Sequence, residues 1–180
     1  MIFISDIHGC IDSLHAALAF KDKLNAKHIM LLGDVLNHGP RNPVPAGYNP
    51  AAVATELNKH ADSIIAVRGN CDSEVDQMLC QFPMMADYNW LIVNGRRLCL
   101  THGHLFSPDN RPPLAAGDGL VFGHTHLPVA AIEDDVLLFN PGSVTIPKGG
   151  NVASFGYFDG QRFSVRELAT GQEMIAIDWF

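Results

Sequence analysis

The sequence predicts an α/β fold in which two β-sheets pack face to face with helices outside. Two features of the 180-residue chain support this prediction. In the first half, short apolar runs alternate with helix-like segments, a pattern typical of βαβ units. After Pro83, these segments give way to strand-like runs and turn sequences. Because no repeat, low-complexity tract or linker interrupts the chain, we expect a single domain over residues 1–180.

The first half is predicted to contain three strands and three helices. They are the strands Met1–Ser5, His28–Leu32 and Ile64–Val67, and the helices Ile11–Leu24, Pro50 to about His60, and a short one capped by Ser73 with Val75, Met78 and Leu79 following. The second helix has the clearest start, because Asn49 can cap it and Pro50 suits the first helical turn. The segment Gly39–Pro50 is rich in Pro and Gly, and a long irregular segment inside a compact domain is often functional.

The second half is predicted to be mainly β. Its predicted strands are Trp90–Val93, Arg96–Thr101, Val136–Asn140, Ala153–Phe158 and Arg162–Leu168. Asn94-Gly95 is a strong signal for a two-residue hairpin turn, and Asp159-Gly160 joins the last two strands. Apolar residues near the C-terminus either complete the core, which we expect, or form an interface in a homo-oligomer. They are Ile175, Ile177, Trp179 and Phe180.

Charge and composition limit the functional classes. Twelve Lys and Arg against nineteen Asp and Glu give a net charge of −7. Such a surface does not gather nucleic acid non-specifically, so we expect no stoichiometric nucleic-acid partner, although nucleic acid stays open as a substrate. Cys10, Cys71, Cys80 and Cys99 are widely spaced, which fits reduced thiols. The sequence shows neither a signal peptide nor a long apolar run, so we expect a cytoplasmic protein without membrane contact.

The chemistry-bearing residues lie in five short strings. These are Asp6-Ile7-His8-Gly9, Gly33-Asp34, Gly69-Asn70-Cys71-Asp72, Thr101-His102-Gly103-His104 and Gly123-His124-Thr125-His126. Each follows a predicted strand, and the carboxyl ends of strands line the ligand crevice of an open α/β sheet, so the strings can converge. In an extended backbone, residues two apart point the same way. Asp6 with His8, and His124 with His126, would then each present two donors to one side.

Taken singly, each string also has a simple structural explanation, as a turn or a cap. Taken together, they would bury many imidazoles and carboxylates at a cost on the order of several kcal/mol unless a cation were present. The strings therefore predict a metal site. Its seven predicted ligands are Asp6, His8, Asp34, Asn70, His102, His124 and His126. Imidazole, carboxylate and amide donors suit Mn, Fe, Zn, Co or Ni better than Ca or Mg.

The five strings, in this order, resemble the signature of the calcineurin-like metallophosphoesterase superfamily, and especially its small bacterial YfcE-type phosphodiesterases. The segments Gly33–Asn42, Val67–Ser73 and Asn140–Ser143 also match, so the resemblance covers essentially the whole chain. It implies an αββα sandwich and a dinuclear centre, with Mn²⁺ as the expected metal. It also implies that one ion is held by Asp6, His8 and His126 and the other by Asn70, His102 and His124, with Asp34 bridging.

A dinuclear centre of this kind would attract phosphate. Two divalent ions bring +4, while Asp6, Asp34 and a bridging hydroxide bring −3, which leaves about +1. Metals about 3.5–4 Å apart lower the pKa of a shared water and clamp the oxygens of an in-line displacement. We therefore expect a hydrolase in which metal-bound hydroxide attacks the phosphorus of a small phosphodiester, with no covalent enzyme intermediate. The residues predicted to act in catalysis are Asn70, Cys71, Asp72 and His102.

Cys71 departs from the wider superfamily, in which many members have a histidine that protonates or steadies the leaving group. It is either an inert apolar filler or a polar group near the phosphate. Asp72 would orient its neighbours. Because no general acid is obvious, we expect diesters and good leaving groups rather than alkyl monoesters. Phosphomonoesterase or pyrophosphohydrolase activity at the same centre is the alternative.

A second departure follows Asp34. Asn37 and His38 stand where phosphoprotein phosphatases have Asp-Arg, and His38 either donates to phosphate or occupies a loop turn. Arg41 and Arg68 either supply a positive charge or have surface roles. The predicted substrate-binding residues are Asn37, His38, Arg41 and His104. The resemblance places His104 near the site. A non-catalytic scaffold, like the retromer subunit of the superfamily, would have a broken ligand set, whereas all seven positions here are competent.

Overall fold

The computed structural model describes residues 1–180 and contains eleven strands and three α-helices. The strands are β1 (Ile2–Ile4), β2 (Ile29–Leu31), β3 (Ile64–Ala66), β4 (Tyr88–Val93), β5 (Arg96–Thr101), β6 (Gly119–Val121), β7 (Pro128–Glu133), β8 (Val136–Pro141), β9 (Ser154–Phe158), β10 (Arg162–Glu167) and β11 (Glu173–Asp178). The helices are α1 (Ile11–Lys23), α2 (Pro50–Asn58) and α3 (Glu74–Leu79), with a 3-10 turn at Ala61–Ser63. None of the helices has the length and apolarity that crossing a membrane requires.

The strands form two mixed sheets, which confirms the predicted fold class. Sheet 1 has the order β11-β10-β9-β1-β2-β3, and its strands β1, β2 and β3 are parallel. Sheet 2 has the order β4-β5-β6-β8-β7, with β5, β6 and β8 parallel. Antiparallel β4 and β7 form its two edges. The parallel strands of each sheet therefore end at a common edge, where loops can build a site.

The two sheets pack against each other through an aromatic core. Phe3 of β1 meets Phe139 of β8 edge-on, with ring centroids 5.6 Å apart, and Phe163 of β10 lies 4.9 Å from Phe139. A second core, which includes Leu14 of α1, covers the other face of sheet 1. On the outer face of sheet 2, the loop residue Leu114 packs against a smaller apolar cluster. Because no helix follows α3, loops cover this face.

Local capping and turn signals are confirmed. The Asn49 side chain accepts a hydrogen bond from the Ala52 N–H at 3.1 Å, and α2 begins at Pro50. Asn94 and Gly95 have φ values of 49° and 83°, as a type I′ hairpin turn between β4 and β5 requires.

The short helix α3 is positioned by its N-terminal cap and not by its apolar residues. A capping box between Ser73 and Asp76 starts it. Its apolar side chains lie outside, since Val75 is 66% and Met78 84% exposed. The cap therefore positions this helix, rather than an apolar face.

Three observed strands, β6, β7 and β11, have no predicted range, although a strand is expected before Gly123, where β6 lies. At the C-terminus, β11 pairs with β10, and Trp179 is buried at 3% exposure while Phe180 stays 43% exposed. The C-terminal residues thus contribute to the core mainly through Trp179.

Candidate metal centre

The seven predicted ligands all follow the carboxyl ends of parallel strands. Asp6 and His8 follow β1, Asp34 follows β2, Asn70 follows β3, His102 follows β5, and His124 and His126 follow β6. Three of these strands belong to sheet 1 and two to sheet 2. The site therefore lies at the common edge where the two sheets meet.

Five of the seven predicted ligands have a left-handed backbone. Their φ values are 57° for Asp6, 48° for His8, 53° for Asp34, 65° for His124 and 60° for His126. Residues with a side chain rarely adopt this conformation, which costs roughly 1–3 kcal/mol each when strained. The extended backbone expected for the Asp-x-His and His-x-His strings is therefore wrong. Tight left-handed turns bring the paired donors to one side instead.

Asp6, His8 and His126 form the first group of donors. His126 Nε2 lies 3.1 Å and His8 Nε2 3.7 Å from Asp6 Oδ1, and the two Nε2 atoms are 3.5 Å apart. Donors about 2.1 Å from one ion lie about 3–4 Å from one another. Asp6 Oδ1 is buried yet accepts no hydrogen bond. Because an orphaned buried carboxylate oxygen is costly, this group fits a bound cation.

The second group is centred on His102. Its Nε2 lies 3.1 Å from Asn70 Oδ1 and 3.5 Å from Asp34 Oδ2. Asp34 Oδ2 is also 3.9 Å from His8 Nε2 in the first group. Asp34 thus lies between the two groups. His124 is half-buried beside them, with its ring centroid 5.1 Å from that of His102.

Backbone carbonyls orient three of the imidazoles. The Nδ1 atom of His8 lies 3.0 Å from the Asn37 carbonyl oxygen, and that of His102 lies 2.6 Å from the Leu32 carbonyl oxygen. The Nδ1 atom of His126 contacts the Ile146 carbonyl oxygen in the same way. Since a carbonyl only accepts, each Nδ1 carries a proton and donates it. Each Nε2 is therefore directed into the site, as carbonyl-supported metal ligands require.

Asp72 connects the turn after β2 with the turn after β3. Its buried carboxylate accepts three backbone N–H bonds, from Asp34 at 2.8 Å, Val35 at 2.8 Å and Gly69 at 2.7 Å. The turns approach so closely that a Cβ on Gly69 would lie 2.1 Å from Asp34 Oδ1. Burial raises the pKa of Asp72 to about 6. Asp72 therefore positions Asp34 and does not itself reach the cleft.

The segment Asn140–Ser143 ties the other ligand turns together. Asn140 Nδ2 donates to the Gly123 carbonyl at 2.9 Å, next to His124. Ser143 Oγ donates to the Asp6 carbonyl at 3.0 Å. The same string that matched the superfamily by resemblance thus fixes the backbone of two predicted ligands.

Without a metal, the acids and imidazoles stabilise one another's charged forms. Burial opposes ionisation of Asp34, but the hydrogen bond and charge of His102 hold its pKa well below the usual range. Burial also opposes protonation of His102, yet Asp34 and Asp6 raise its pKa to about 9. Burial and the charge of His102 lower the pKa of His124. In the metal-free protein at neutral pH, His102 therefore carries a proton where a cation would bind.

Cys71 lies at the rim of the site beside Asp34. Its backbone N–H donates to Asp34 Oδ1 at 2.8 Å, and its Sγ lies 3.3 Å from Asn70 Nδ2. Burial, followed by the charge of Asp34, raises the pKa of the Cys71 thiol to about 12. The thiol is therefore neutral at physiological pH and a far weaker acid than an imidazolium.

A cleft of about 480 Å³ opens over the donors. Among the predicted substrate-binding residues, Arg41 lines it, together with the ligands Asp34, Asn70, His124 and His126. Lys148, which lies outside the five strings and was not predicted, also lines the cleft. Its only sequence signal is a lone cation before Gly149-Gly150, a weak cue by itself.

The other predicted substrate-binding residues lie outside the cleft lining. The Asn37 side chain accepts the Gly39 N–H at 2.8 Å, so it shapes the loop. His38 packs edge-on against Tyr48, with ring centroids 5.3 Å apart. His104 lies 5.3 Å from the His102 ring, and its buried Nδ1 has no partner.

Arg68 is not free for substrate either. Its guanidinium forms an ion pair with Asp87 at 2.6 Å. Of the two arginines considered from the sequence, Arg41 alone therefore faces the cleft without a partner.

Comparison with known proteins agrees with this architecture. Residues 1–162 match the calcineurin-like phosphoesterase superfamily domain. The chain is 53% identical to phosphodiesterase YfcE of Escherichia coli K12 over 176 residues, which cover 98% of this chain and 95% of the relative. The solved structure of Yfce, described as a phosphoesterase from E. coli, superposes with a TM-score of 0.98 at 50% identity and covers 99% of this chain and 98% of that one.

A more distant likeness concerns the fold alone. Vps29 of Entamoeba histolytica, solved in complex with Zn²⁺, has a TM-score of 0.59 at 17% identity, with full coverage of both chains. The family match and the E. coli relative span nearly all of the sequence. The chain therefore belongs to the calcineurin-like phosphoesterase superfamily.

Proposed function

We propose that this protein is a metal-dependent phosphodiesterase that hydrolyses small phosphodiesters at a dinuclear centre. The main support is the orphaned Asp6 Oδ1, which is buried opposite His126 Nε2 at 3.1 Å and accepts no hydrogen bond. A site built in this way is incomplete without a cation. The E. coli relative at 53% identity is named a phosphodiesterase, and we extend that activity to this chain.

The donors divide into two sets that share one carboxylate. We assign Asp6, His8 and His126 to one ion, Asn70, His102 and His124 to the other, and Asp34 to both. The position of Asp34 Oδ2, 3.9 Å from His8 Nε2 and 3.5 Å from His102 Nε2, supports the bridging role. Mixed nitrogen and oxygen donors suit Mn, Ni, Zn, Fe or Co, and among these we choose Mn²⁺ from the resemblance to YfcE-type phosphodiesterases. When bound, such ions lower the pKa of a shared water and clamp phosphate oxygens.

The protein's own residues hold this arrangement and set the protonation of the donors. The carbonyls of Asn37 and Leu32 hold His8 and His102 with their Nε2 atoms toward the cleft. His102 must release its second proton before it can act as a donor, because a protonated nitrogen has no lone pair. Asp72 fixes Asp34 from behind through backbone bonds. Rigid placement of this kind is what positioning a phosphate for in-line attack requires.

The leaving-group side of the site favours diesters. An alkoxide leaving group needs a proton, and a strong general acid would supply it. Cys71 lies at the cleft rim, but its thiol, with a pKa of about 12, is a poor proton donor. Diesters with acidic alcohols leave without such help. We therefore place diesters with acidic alcohols above unactivated alkyl monoesters as substrates of this chain.

The decisive experiment is metal reconstitution with paired substrates. Metal-free protein receives Mn²⁺, Ni²⁺, Zn²⁺ or Mg²⁺ singly and is assayed on bis(p-nitrophenyl) phosphate and p-nitrophenyl phosphate. We expect metal-dependent hydrolysis, fastest with Mn²⁺, and a higher kcat/KM for the diester. Faster monoester hydrolysis would favour a phosphomonoesterase. Full activity after chelation would contradict the proposal.

A separate measurement tests whether water attacks phosphorus or carbon. A single turnover in ¹⁸O-labelled water should place the label in the product phosphate, because oxygen from water forms the new bond to phosphorus and the bond from phosphorus to the leaving oxygen breaks. Label in the released alcohol would instead indicate cleavage on the carbon side and contradict attack at phosphorus.

A further inference from the structure

Arg41 and Lys148 differ from all other cationic side chains of this protein. The chain has twelve Lys and Arg residues. Ten of them form an ion pair, a hydrogen bond or a contact with an aromatic ring. Arg41 and Lys148 form none, although acidic residues are in excess and the net charge is −7. Both unpaired cations line the same cleft.

The loop that carries Arg41 is attached to the metal centre. Asn42 Nδ2 donates to the His38 carbonyl at 2.9 Å and closes a turn around Arg41. One residue earlier, the Asn37 carbonyl accepts the His8 Nδ1 proton at 3.0 Å. The same short segment therefore orients a predicted metal ligand and presents a cation to the cleft.

The loop that carries Lys148 is attached in the same manner on the other side. The Ile146 carbonyl accepts the His126 Nδ1 proton, and the Lys148 N–H donates to the His126 carbonyl at 3.4 Å. The Lys148 carbonyl accepts bonds from Asn151, at 3.1 Å from the backbone and 2.9 Å from the side chain. The backbones of both cationic residues are thus fixed relative to His8 and His126, two ligands of one proposed ion.

Charge and volume indicate what these cations bind. The proposed metal centre already supplies the positive charge that a scissile phosphate needs. A cleft of about 480 Å³ is of the size that holds a whole small ligand and far exceeds one phosphate group. Two further unpaired cations in an acidic protein therefore match a second anionic group on the substrate.

We infer that Arg41 and Lys148 form an anion-binding subsite that selects phosphodiesters carrying a second, terminal phosphate. This inference rests on the proposed phosphodiesterase function. Arginine offers a planar fork that pairs with two phosphate oxygens, and lysine adds a mobile point charge. A terminal phosphate between them would orient the substrate so that its diester lies over the metal donors.

A matched substrate pair tests the subsite. Thymidine 3′-(p-nitrophenyl phosphate) and its 5′-phosphorylated form differ only in the terminal phosphate. In the Mn²⁺-loaded protein, we expect the 5′-phosphate to raise kcat/KM about tenfold, the size of one charge-assisted contact. This preference should fall below about threefold in R41M and in K148M, and K148R should restore part of it. The control K59M changes an exposed lysine remote from the cleft and should keep the full preference.

The results of this test distinguish a failure of the subsite from a failure of the proposed function. The substrate without the 5′-phosphate reports diester hydrolysis by itself. If it is hydrolysed but the 5′-phosphate gives no advantage, or if R41M and K148M keep the wild-type preference, the subsite is overturned while the function stands. If neither diester is hydrolysed with any metal, the proposed function fails and the subsite with it.

Discussion

Asp72 Oδ2 lies 2.8 Å from the backbone nitrogen of Asp34 and accepts its N–H. The two carboxylates have different tasks. Asp34 faces the donors of both proposed ions. Asp72 lies behind Asp34 and links its turn to the next one, because Asp72 Oδ2 also accepts the Gly69 N–H at 2.7 Å. The geometry of the site therefore depends on a residue that does not touch the cleft.

Replacing Asp72 by Asn tests this dependence. An amide has one acceptor oxygen and would direct N–H groups at backbone N–H groups, so D72N should lower the free energy of unfolding by roughly 1–3 kcal/mol. It should also weaken Mn²⁺ binding about 10–100-fold. Urea unfolding of the metal-free protein and calorimetric Mn²⁺ titration measure the two effects.

Asp118 offers a matched control for this change. It is also buried and accepts backbone N–H bonds, from Arg97 at 3.1 Å and Ala115 at 2.8 Å, away from the site. D118N should therefore lose stability and keep its Mn²⁺ affinity. Wild-type Mn²⁺ affinity in D72N would show that Asp72 has no positioning role.

Gly69→Ala should damage the site by steric contact alone. The added Cβ would lie 2.1 Å from Asp34 Oδ1 and 2.2 Å from the Asp34 nitrogen, so the bridging carboxylate must move. We expect Mn²⁺ affinity to fall by more than about tenfold. Gly156→Ala, whose Cβ would meet the core ring of Phe139 at 2.6 Å, should lower the melting temperature without this loss. Equal Mn²⁺ affinities for the two variants would count against the close approach.

Metal binding should release a proton from His102. Its pKa is about 9 in the metal-free fold against an ordinary 6.5, so the ring is charged at neutral pH. The stability that this charge gives the metal-free protein is fully present below pH 6.5 and is lost as the pH rises through about 9. Mn²⁺ must replace the proton, so affinity should rise with pH over the same range.

Calorimetric titration in buffers of different ionisation enthalpy measures this proton. At neutral pH we expect release of about one proton per chain from His102, and up to one more from the shared water. H15Q, which changes a histidine whose side chain is 56% exposed, should release the same amount. Mn²⁺ binding without proton release would contradict the charged state of His102.

Cys71→His should change substrate preference. An imidazole at the cleft rim can protonate an alcohol leaving group, a contribution typically worth about 10²–10⁴-fold. We expect the kcat/KM ratio of an alkyl monoester, glycerol 2-phosphate, to bis(p-nitrophenyl) phosphate to rise at least about tenfold in C71H, because only the alkoxide needs the added proton. C71S, which is polar but has no comparable acid, should leave the ratio near that of the wild type. An unchanged ratio in C71H would reject the leaving-group explanation.

Much of the fold follows from local signals in the sequence. Asn49-Pro50 starts α2 and Asn94-Gly95 forms the hairpin turn because their backbone preferences act within a few residues. The strands β6 and β7 lack such signals. β6 has three fully buried residues, which is too short for a periodic pattern, and β7 is an edge strand that begins with Pro128.

For the site, the residue types could be predicted from the sequence, but their geometry could not. The strings predict its chemistry because imidazoles and carboxylates beside strand ends are recognisable in sequence. The left-handed backbones of Asp6 and His124 are set by long-range contacts, such as the 3.2 Å hydrogen bond from the His124 N–H to Asp6 Oδ2. Lys148 likewise reaches the cleft only through the folding of a distant loop. Neither feature has a local cause that sequence patterns could report.

We propose that one chain holds two metal ions joined by Asp34. Equilibrium dialysis of the wild-type protein against Mn²⁺, followed by elemental analysis, tests it most directly. We predict about two ions per chain in the wild type and fewer than about one in D34N, because loss of the shared carboxylate weakens both positions. One ion per wild-type chain, or unchanged stoichiometry in D34N, would contradict the dinuclear centre.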